Sequence, residues 1–300
     1  KNNMSIDNIE ITLPLVKDLV AKQFPQWSNL LVKPIELSGW DHRTFHLGDE
    51  MLLRLPSAEG YAAQVLKEQK WLPKLAKCLN TKIPEPIAMG KSSKEYPWNF
   101  SIYNWIEGKS ANSINLDDKV LEIVASQLAQ FLNELHKVDT LSAPMPGAHN
   151  YYRGAHPSVY DKETRDAISN LKNIIDTKKA LLVWEKAIES KWDKDLVWIH
   201  GDFSSGNILI KDNKLNAVID FGCTGIGDPA CDLVIAWTFL KNKSRDVFKS
   251  EIDIDNNTWN RARGWALWKA LITLDSNENK EDAQALEQFR IINDVLNEYE

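Results

Sequence analysis

The sequence has few cysteines and no long apolar run, and each shortage excludes a class of protein. The three cysteines, Cys78, Cys223 and Cys231, form no C-x-x-C pair and no Cys/His cluster. Neither a disulfide framework nor structural zinc is therefore predicted, and we expect the three to be small buried apolar residues. No uninterrupted apolar stretch reaches the roughly 18 residues that a membrane span needs.

The charge balance also limits the partners. Lys and Arg number 36 against 42 Asp and Glu, which gives a formal charge of -6, and no run of five or six basic residues occurs. This argues against nucleic acid or an anionic membrane as the main partner. Hydrophobic residues at 43% and charged residues at 26% are typical of a folded chain with a sizeable core. Since the sequence shows no secretory leader, we expect a cytoplasmic protein.

The pattern of apolar residues changes along the chain, from short strands to long helices. In roughly the first hundred residues, the pattern predicts two helices, at 12–24 and 59–77. It also predicts short antiparallel strands at 32–36, 43–47, 51–55 and 99–105. Beyond Gly108 the periodicity predicts mainly helices, at 116–138, within 161–191, at 258–274 and at 280–299. The fold class is therefore predicted to be α+β, with a strand-rich first part and a helical second part.

One carboxylate interrupts the apolar stripe of the helix predicted at 59–77. Glu68 falls between Val65 and Leu72 at helical spacing. Burial of an unpaired charge costs several kcal/mol, so we expect a cationic partner, and Arg54 at the end of the preceding strand is the nearest in sequence. The alternative is that Glu68 lies at the margin of the stripe and faces water.

The residues that carry chemistry lie between 196 and 222. His200 and Asp202 are followed by Asn207 and then by Asp220 in an Asp-Phe-Gly triplet, and a predicted hairpin separates the last two. This order and spacing match the catalytic loop and metal loop of protein-kinase-like phosphotransferases.

The chemistry of phosphoryl transfer explains these residue types. A carboxylate must orient the acceptor hydroxyl and take its proton, and we assign this role to Asp202. Mg²⁺ prefers hard oxygen ligands and keeps several waters, so Asp220 and Asn207 suffice once the nucleotide supplies further oxygens. We interpret His200 as a scaffold for the loop rather than as a base.

The same residues resemble the aminoglycoside phosphotransferase family, which carries His-Gly-Asp, then Gly-Asn, then Ile-Asp-Phe-Gly. Further similar segments extend over nearly the whole chain, among them Arg54-Leu55-Pro56, Lys67-Glu68, Trp105 with Glu107-Gly108, Tyr152-Arg153-Gly154, Gly227-Asp228-Pro229 and Arg263-Gly264-Trp265. The resemblance implies a bilobal protein-kinase-like fold that uses ATP or GTP with Mg²⁺. Its parts would be a nucleotide-binding lobe at 1–103, a hinge at 104–109 and a catalytic and substrate-binding lobe at 110–300.

The resemblance also implies a nucleotide site. Arg54 stands where kinases usually carry a lysine that holds phosphates, and Glu68 would be its helix partner. Two roles stay open for Arg54, because a guanidinium could bind phosphate or could only anchor Glu68. The remaining expected nucleotide contacts are a phosphate loop with Ser38 and Gly39, and a hinge with Tyr103, Asn104 and Ile106.

The segment after Asp220 is too short for a protein-kinase activation segment. Only seven residues precede Asp228-Pro229, which together predict a helix start with Asp228 as the cap. A small acceptor is therefore expected, and a protein substrate is not. Asp232, one turn further, either places a favourable charge near the helix N-terminus or braces the catalytic loop.

The acceptor is the least determined part of the prediction. An aminoglycoside, in a reaction of the antibiotic-resistance type, is the first candidate by resemblance, and a macrolide, a sugar or an amino alcohol is the alternative. The candidate contacts are aromatic and cationic: Tyr152, Arg153, Trp259, Arg263 and Trp265. Two other interpretations stay open. The tryptophans could be core residues with the arginines in salt bridges, and the chain could be a nucleotide-binding pseudokinase.

Overall fold

A computed structural model of the protein describes residues 9–35 and 41–298. The chain divides into two units, and it visits the first unit twice. The first unit comprises the described residues up to Gly108 together with Asn216–Gly222, and the second comprises Lys109–Leu215 and the residues from Cys223 onward. The segment that contains Asp220 thus belongs with the strand-rich part of the chain. The role of 104–109 as a hinge stays a prediction.

The first unit is built on an antiparallel sheet with the strand order β1-β2-β3-β5-β4. Its described strands are β1 (Val32–Pro34), β2 (His42–Leu47), β3 (Met51–Pro56), β4 (Pro86–Gly90) and β5 (Phe100–Asn104). Its described α-helices are α1 (Leu13–Gln23) and α2 (Glu59–Cys78). The predicted helices and strands of this part are present among the described residues, with the first strand ending at Pro34, and β4 is a strand that the sequence did not predict.

Local sequence explains both α1 and β3. The side chain of Thr12 caps α1 by accepting a hydrogen bond from the backbone of Leu15 at 3.3 Å. In β3, Leu53 and Leu55 are fully buried in the core that α1 helps to form. Because side chains alternate along a strand, Arg54 lies on the opposite face of the sheet. Arg54 pairs in register with Thr44 of β2 and Ser101 of β5.

The second unit is mainly helical. Its described α-helices are α3 (Asp118–Leu135), α4 (Asp161–Asn170), α5 (Thr177–Glu189), α6 (Ile235–Thr238), α7 (Asn242–Glu251), α8 (Asn256–Ser276) and α9 (Ala283–Asn297). The short strands are β6 (Lys109–Ser110), β7 (Val197–Ile199), β8 (Ile208–Lys211), β9 (Lys214–Val218) and β10 (Gly225–Gly227). β7 pairs with β10, and β9 ends in residues of the first unit.

Helix α8 is the central helix of the second unit. It packs against α4, α5 and α9, and its aromatic residues Trp259, Trp265 and Trp268 are all buried. The helix is therefore buried on most sides. None of the helices in the described part of the chain is both long and apolar enough to span a bilayer.

The cysteines only partly follow the prediction. Cys231 is buried and Cys223 is half-buried, but Cys78 is exposed. Cys78 is the last residue of α2, where the helix ends and fewer neighbours cover a side chain. The prediction of a buried apolar cysteine is therefore wrong for Cys78.

Candidate active site

The loop after β7 presents the side chain of Asp202 to solvent. Gly201 has a φ of +88°, and a Cβ at that position would lie 2.2 Å from the carbonyl oxygen of Cys223. Only glycine fits a left-handed backbone at such a close approach. On either side of the exposed Asp202, His200 and Phe203 are buried, and the Phe203 ring stacks on Phe131.

A buried carboxylate fixes the shape of this loop. Asp232 accepts hydrogen bonds from the backbone N–H of His200 at 2.7 Å and of Gly201 at 2.9 Å. The Nδ1 atom of His200 in turn accepts from the backbone of Asp202 at 3.1 Å. Burial raises the pKa of the Asp232 carboxyl, and the nearby His200 and the two backbone donors partly oppose this shift. Of the two roles left open for Asp232, these contacts favour bracing the loop.

Asn207 lies beside Asp202 and orients it. Its Nδ2 atom donates to the backbone oxygen of Asp202 at 2.9 Å and to the carboxylate Oδ2 at 3.1 Å. This leaves the amide oxygen of Asn207 and the Oδ1 atom of Asp202 without a hydrogen bond to any described residue. A free amide oxygen is the kind of ligand that Mg²⁺ takes.

Asp220 lies in the first unit, where an arginine holds it. Arg54 donates to Asp220 Oδ1 at 2.7 Å and to Glu68 Oε1 at 3.2 Å, and its Nη2 lies 3.5 Å from Asp41. Glu68 is only 2% exposed, and its second oxygen accepts from the hydroxyl of Tyr103 at 2.7 Å. The predicted pairing of Arg54 with Glu68 is confirmed. Two further carboxylates, Asp220 and Asp41, share the guanidinium.

The charges in this cluster stabilise one another. Burial lowers the pKa of Arg54, but the carboxylates, Asp220 first, outweigh it and raise the pKa well above its ordinary value. For Asp220, burial raises the pKa, but the charge and the hydrogen bond of Arg54 outweigh burial, so the pKa lies below its ordinary value and the group stays ionised. Its Oδ2 atom has no hydrogen bond to a described residue, and its backbone is left-handed with a φ of 62°. A carboxylate oxygen thus remains available as a hard ligand.

The other predicted nucleotide contacts are only partly defined. Tyr103 directs its side chain to Glu68, so only its backbone could meet a nucleotide. The backbone N–H of Asn104 donates to Glu85 at 3.3 Å, whereas Ile106 makes no backbone hydrogen bond to the described residues. The predicted phosphate loop with Ser38 and Gly39 lies outside the described residues.

Asp228 is part of a sealed ion pair. It caps a short 3-10 helix and accepts from Arg261 Nε at 2.7 Å. The arginine side chain is 1% exposed and also donates to the hydroxyls of Ser190 and Thr258, at 2.7 and 3.0 Å. Burial raises the pKa of the Asp228 carboxyl even though Arg261 opposes the shift. This network explains how the segment after Asp220 is anchored.

A cavity of about 190 Å³ lies in the second unit beside Asp202. Its walls combine the catalytic loop with residues of α8 and α9 and are lined by Arg153, Gly201, Asp202, Phe203, Ser204, Cys231, Val234, Thr238, Trp265, Ala266, Trp268, Lys269, Ala270, Gln288 and Ile291. Of the predicted acceptor contacts, Arg153 and Trp265 line this cavity together with Asp202. Lys269 and Trp268 were missed in the sequence, although their spacing from Trp265 places all three on one side of a helix.

The remaining predicted acceptor contacts lie elsewhere in the second unit. Trp259 packs edge-on against Trp237 with ring centroids 6.0 Å apart, and Arg263 lies 3.4 Å from the Glu298 carboxylate. Neither residue lines the cavity beside Asp202. Tyr152 is exposed, with a left-handed φ of 58°, and belongs to the loop that carries Arg153.

Comparison with known sequences places these residues in a family context. The sequence profile of the phosphotransferase enzyme family matches residues 32–266. An aminoglycoside 3'-phosphotransferase from Escherichia coli is 28% identical over 144 residues, which are 47% of this chain and 53% of that protein. A protein of the same description from Salmonella typhimurium has the same identity and coverage. The matched segment thus spans about half the length of these curated relatives.

Solved structures share the fold over nearly the full chain. The GDP and kanamycin complex of APH(2")-IIia matches with a TM-score of 0.73 at 19% identity, and the alignment covers 95% of this chain and 99% of that one. A macrolide 2'-phosphotransferase from Brachybacterium faecium matches with a TM-score of 0.60 at 18% identity, covering 94% and 97% of the two chains. At such identities the likeness shows the fold, and the predicted α+β kinase-like fold is confirmed.

Proposed function

Because the chain belongs to the phosphotransferase enzyme family, we propose that it transfers the γ-phosphate of ATP or GTP to a hydroxyl of a small molecule. The observation that carries this proposal is the exposed carboxylate of Asp202 on a loop held by buried His200 and Asp232. A loop with no catalytic role would not need a buried carboxylate to fix two consecutive backbone N–H groups. The fixed geometry suits a base that must meet an acceptor hydroxyl.

Each residue of the catalytic set has a proposed role. Asp202 takes the proton of the acceptor hydroxyl while the hydroxyl oxygen forms a bond to the γ-phosphorus. The bond between the γ-phosphorus and the β,γ-bridging oxygen breaks, and the nucleoside diphosphate leaves with that electron pair. Mg²⁺ neutralises phosphate charge when it is bound, and Asp220 and Asn207 would hold it through their free oxygens. Arg54 orients Asp220 and Glu68.

The relatives and the cavity suggest different acceptors. An aminoglycoside is the first candidate, because the curated relatives are aminoglycoside 3'-phosphotransferases. A second candidate class follows from the cavity, whose described lining contains a single carboxylate, that of Asp202. Polycations usually require several carboxylates, so this lining favours an acceptor of another charge. We place the reaction in the cytoplasm and expect no protein, nucleic acid or membrane as a partner in it.

Substitution of Asp202 tests the proposal. The Asp202→Ala variant should lose about 10² to 10⁴-fold in phosphoryl transfer, the usual contribution of a general base, while calorimetry shows unchanged binding of MgATP. Asp246→Asn, which removes an exposed carboxylate from α7, is the matched control and should retain full turnover. Wild-type turnover in Asp202→Ala would rule out the assigned base.

A pseudokinase is the competing function, and the same assay separates the two. A pseudokinase would bind MgATP but release no ADP above the rate of hydrolysis by water with any acceptor. The exposed carboxylate of Asp202 argues for the enzyme, because a module that only binds nucleotide has no use for a base.

A further inference from the structure

Two cations beside Asp202 have no acidic partner. Arg153 and Lys269 both line the cavity, and neither has a carboxylate within ion-pair distance among the residues that the structure describes. Among the described residues, the side chain of Arg153 donates one hydrogen bond, to the backbone oxygen of Tyr151 at 3.2 Å. Most other arginines of the described part contact a carboxylate, for example Arg165, Arg245 and Arg290. An unpaired guanidinium in a cavity is a site for an anion.

The loop that carries Arg153 is built to hold it in place. Asn150 is fully buried and donates to the backbone oxygen of Arg153 at 3.0 Å. Tyr151 and Tyr152 both have a left-handed backbone, with φ of 53° and 58°, and Gly154 has a φ of 88°. Such conformations cost about 1 to 3 kcal/mol for each residue that is not glycine and persist only where the surroundings impose them. The position of Arg153 is therefore fixed before any ligand arrives.

Arg153 already occupies the aromatic faces of the cavity. Its guanidinium lies 5.0 Å from the ring centroid of Trp268 and 5.6 Å from that of Trp265. Tyr160 stacks on Trp268 at 4.2 Å with ring planes 8° apart. An ammonium ligand would have to displace Arg153 to reach these π faces, whereas an anion would find the guanidinium already stacked and oriented.

Lys269 adds a second positive charge to the same region. Lys269 is exposed, and its Nζ lies 5.7 Å from the ring centroid of Trp268, the same ring that the Arg153 guanidinium covers at 5.0 Å. The two positive charges are therefore close enough to repel each other. A bound anion would relieve that repulsion, and a bound cation would add to it.

We propose that the acceptor is a small hydroxylated anion, with its carboxylate or phosphate held by Arg153 and Lys269 and its hydroxyl at Asp202. The inference rests on the proposed phosphotransferase function and names its substrate class. A cavity of about 190 Å³ lies below the roughly 300 to 1,000 Å³ of sites for drug-sized ligands, which favours a small acceptor. The buried Thr238 Oγ1 and Trp265 Nε1, which have no partner in the described part, lie on residues of the same wall and could bond ligand oxygens or an intervening water.

Matched acceptor pairs that differ in charge test the proposal. ADP release with MgATP is measured for D-gluconate against D-glucose, for D-glycerate against glycerol, and for kanamycin. The acids should be the better acceptors by kcat/KM. Arg153→Met and Lys269→Met should each raise the KM for the acid about tenfold or more, the loss of one charge-assisted hydrogen bond, with the KM for ATP unchanged. Lys172→Met, at an exposed site away from the cavity, is the charge-matched control and should leave both KM values unchanged.

The outcomes separate this inference from the proposed function. Phosphorylation of kanamycin or of the neutral compounds in preference to the acids overturns the anionic acceptor but leaves the phosphotransferase intact. If the acids bind by calorimetry and lose binding in Arg153→Met, but neither they nor the neutral compounds nor kanamycin raise ADP release, the anion site is supported and the phosphotransferase is contradicted. No binding of either acid overturns the anion site. Recovery of binding in Arg153→Lys distinguishes loss of charge from loss of the loop structure.

Discussion

Two arginines, one in each unit, show two uses of a buried charge. Arg261 is 1% exposed and meets one carboxylate and two hydroxyls, and its partner Asp228 is 5% exposed. Arg54 is 12% exposed and serves three carboxylates, of which Asp220 and Asp41 keep 27% and 28% of their side-chain surface. The first network is closed to solvent, whereas the second leaves carboxylate oxygens free.

The two networks have different roles in this chain, one structural and one functional. A closed network has no atom left for a ligand, so Arg261 and Asp228 hold the segment after the Asp-Phe-Gly triplet. An open network retains spare oxygens at the positions where the proposed chemistry needs them. Arg153 is a third case, because no carboxylate of the described residues pairs with it, and it therefore has the most capacity for a ligand.

The largest effect is expected at the closed network. We predict that Arg261→Met lowers the free energy of unfolding by about 3 to 5 kcal/mol, because it leaves Asp228 buried without its cation. Urea denaturation measures the loss. Arg263→Met, two residues further along α8, is the control and should cost less, because its partner Glu298 is partly exposed and keeps Lys249 as a second cation. The Asp228→Asn change added to Arg261→Met should recover part of the stability, and failure to do so would contradict the closed-pair account.

A smaller effect is expected at the open network. Arg54→Met should lower the free energy of unfolding by about 2 to 3 kcal/mol, because Asp220 and Asp41 retain contact with water and only Glu68 is left fully buried. The same urea experiment compares it directly with Arg261→Met. A loss of stability in Arg54→Met equal to that in Arg261→Met would show that contact of Asp220 and Asp41 with water does not reduce the cost.

Acid should affect the two networks in opposite directions. Burial raises the pKa of Asp41, but the contact with His42 and the charge of Arg54 outweigh it and bring the pKa down from 3.8 to about 2. The unfolded chain then takes up the proton first, so this contribution, about 2 kcal/mol, is complete above pH 3.8 and is lost as the pH falls through about 2. The pKa of Asp228 is raised, so its contribution to stability depends on pH in the opposite direction. Protonation of Asp228 favours the folded state at low pH, and this contribution is lost as the pH rises.

Substitution of Asp41 isolates the first of these effects. Stability measured by urea denaturation should differ between wild type and Asp41→Asn by its full amount above about pH 4, and the two should converge as the pH falls towards 2. A difference that stays constant with pH would show that the carboxyl contributes by packing rather than by charge.

No effect is expected where a pair lies in water. Lys162 and Asp166 form an ion pair on α4 with 89% and 58% of their side chains exposed. Lys162→Ala should leave the thermal midpoint unchanged within measurement error, because exposed pairs are screened and gain little. A clear drop in the midpoint would mean that exposure is a poor guide to which charged contacts matter in this protein.

The sequence predicts the open network better than the closed one, for a physical reason. Glu68 interrupts a helical apolar stripe, and Arg54 is only fourteen residues away, so both local pattern and proximity indicate the pair. The partner Asp220 is 166 residues from Arg54 in sequence, so no local sequence pattern predicts their contact. The motif spacing nevertheless identifies Asp202, Asn207 and Asp220 as a set, since the chemistry demands those residue types in that order.

Contacts that depend on tertiary packing could not be predicted from the sequence. Helix α8 is buried on most sides, so its pattern cannot say which residues face a cavity, and Lys269 was missed for that reason. Arg153, Arg261 and Arg263 looked alike in the sequence, yet the first stacks on two tryptophans in a cavity, the second is buried with Asp228 and the third meets a partly exposed carboxylate. Only the tertiary arrangement of Asp228, Glu298 and the loop around Asn150 distinguishes the three.

The return of Asn216–Gly222 to the first unit has a consequence for synthesis on the ribosome. Ala217 forms a bridge with Lys82, the backbone of Val218 donates to Lys82 at 3.0 Å, and Arg54 holds Asp220. These contacts cannot form until residue 222 has been translated, well after Gly108. At about 5 to 20 residues per second, the strand-rich unit would wait on the order of 6 to 20 seconds for its last segment. During that interval Arg54 and Glu68 have each other but no Asp220, so the unit lacks this ion pair until the triplet has been translated.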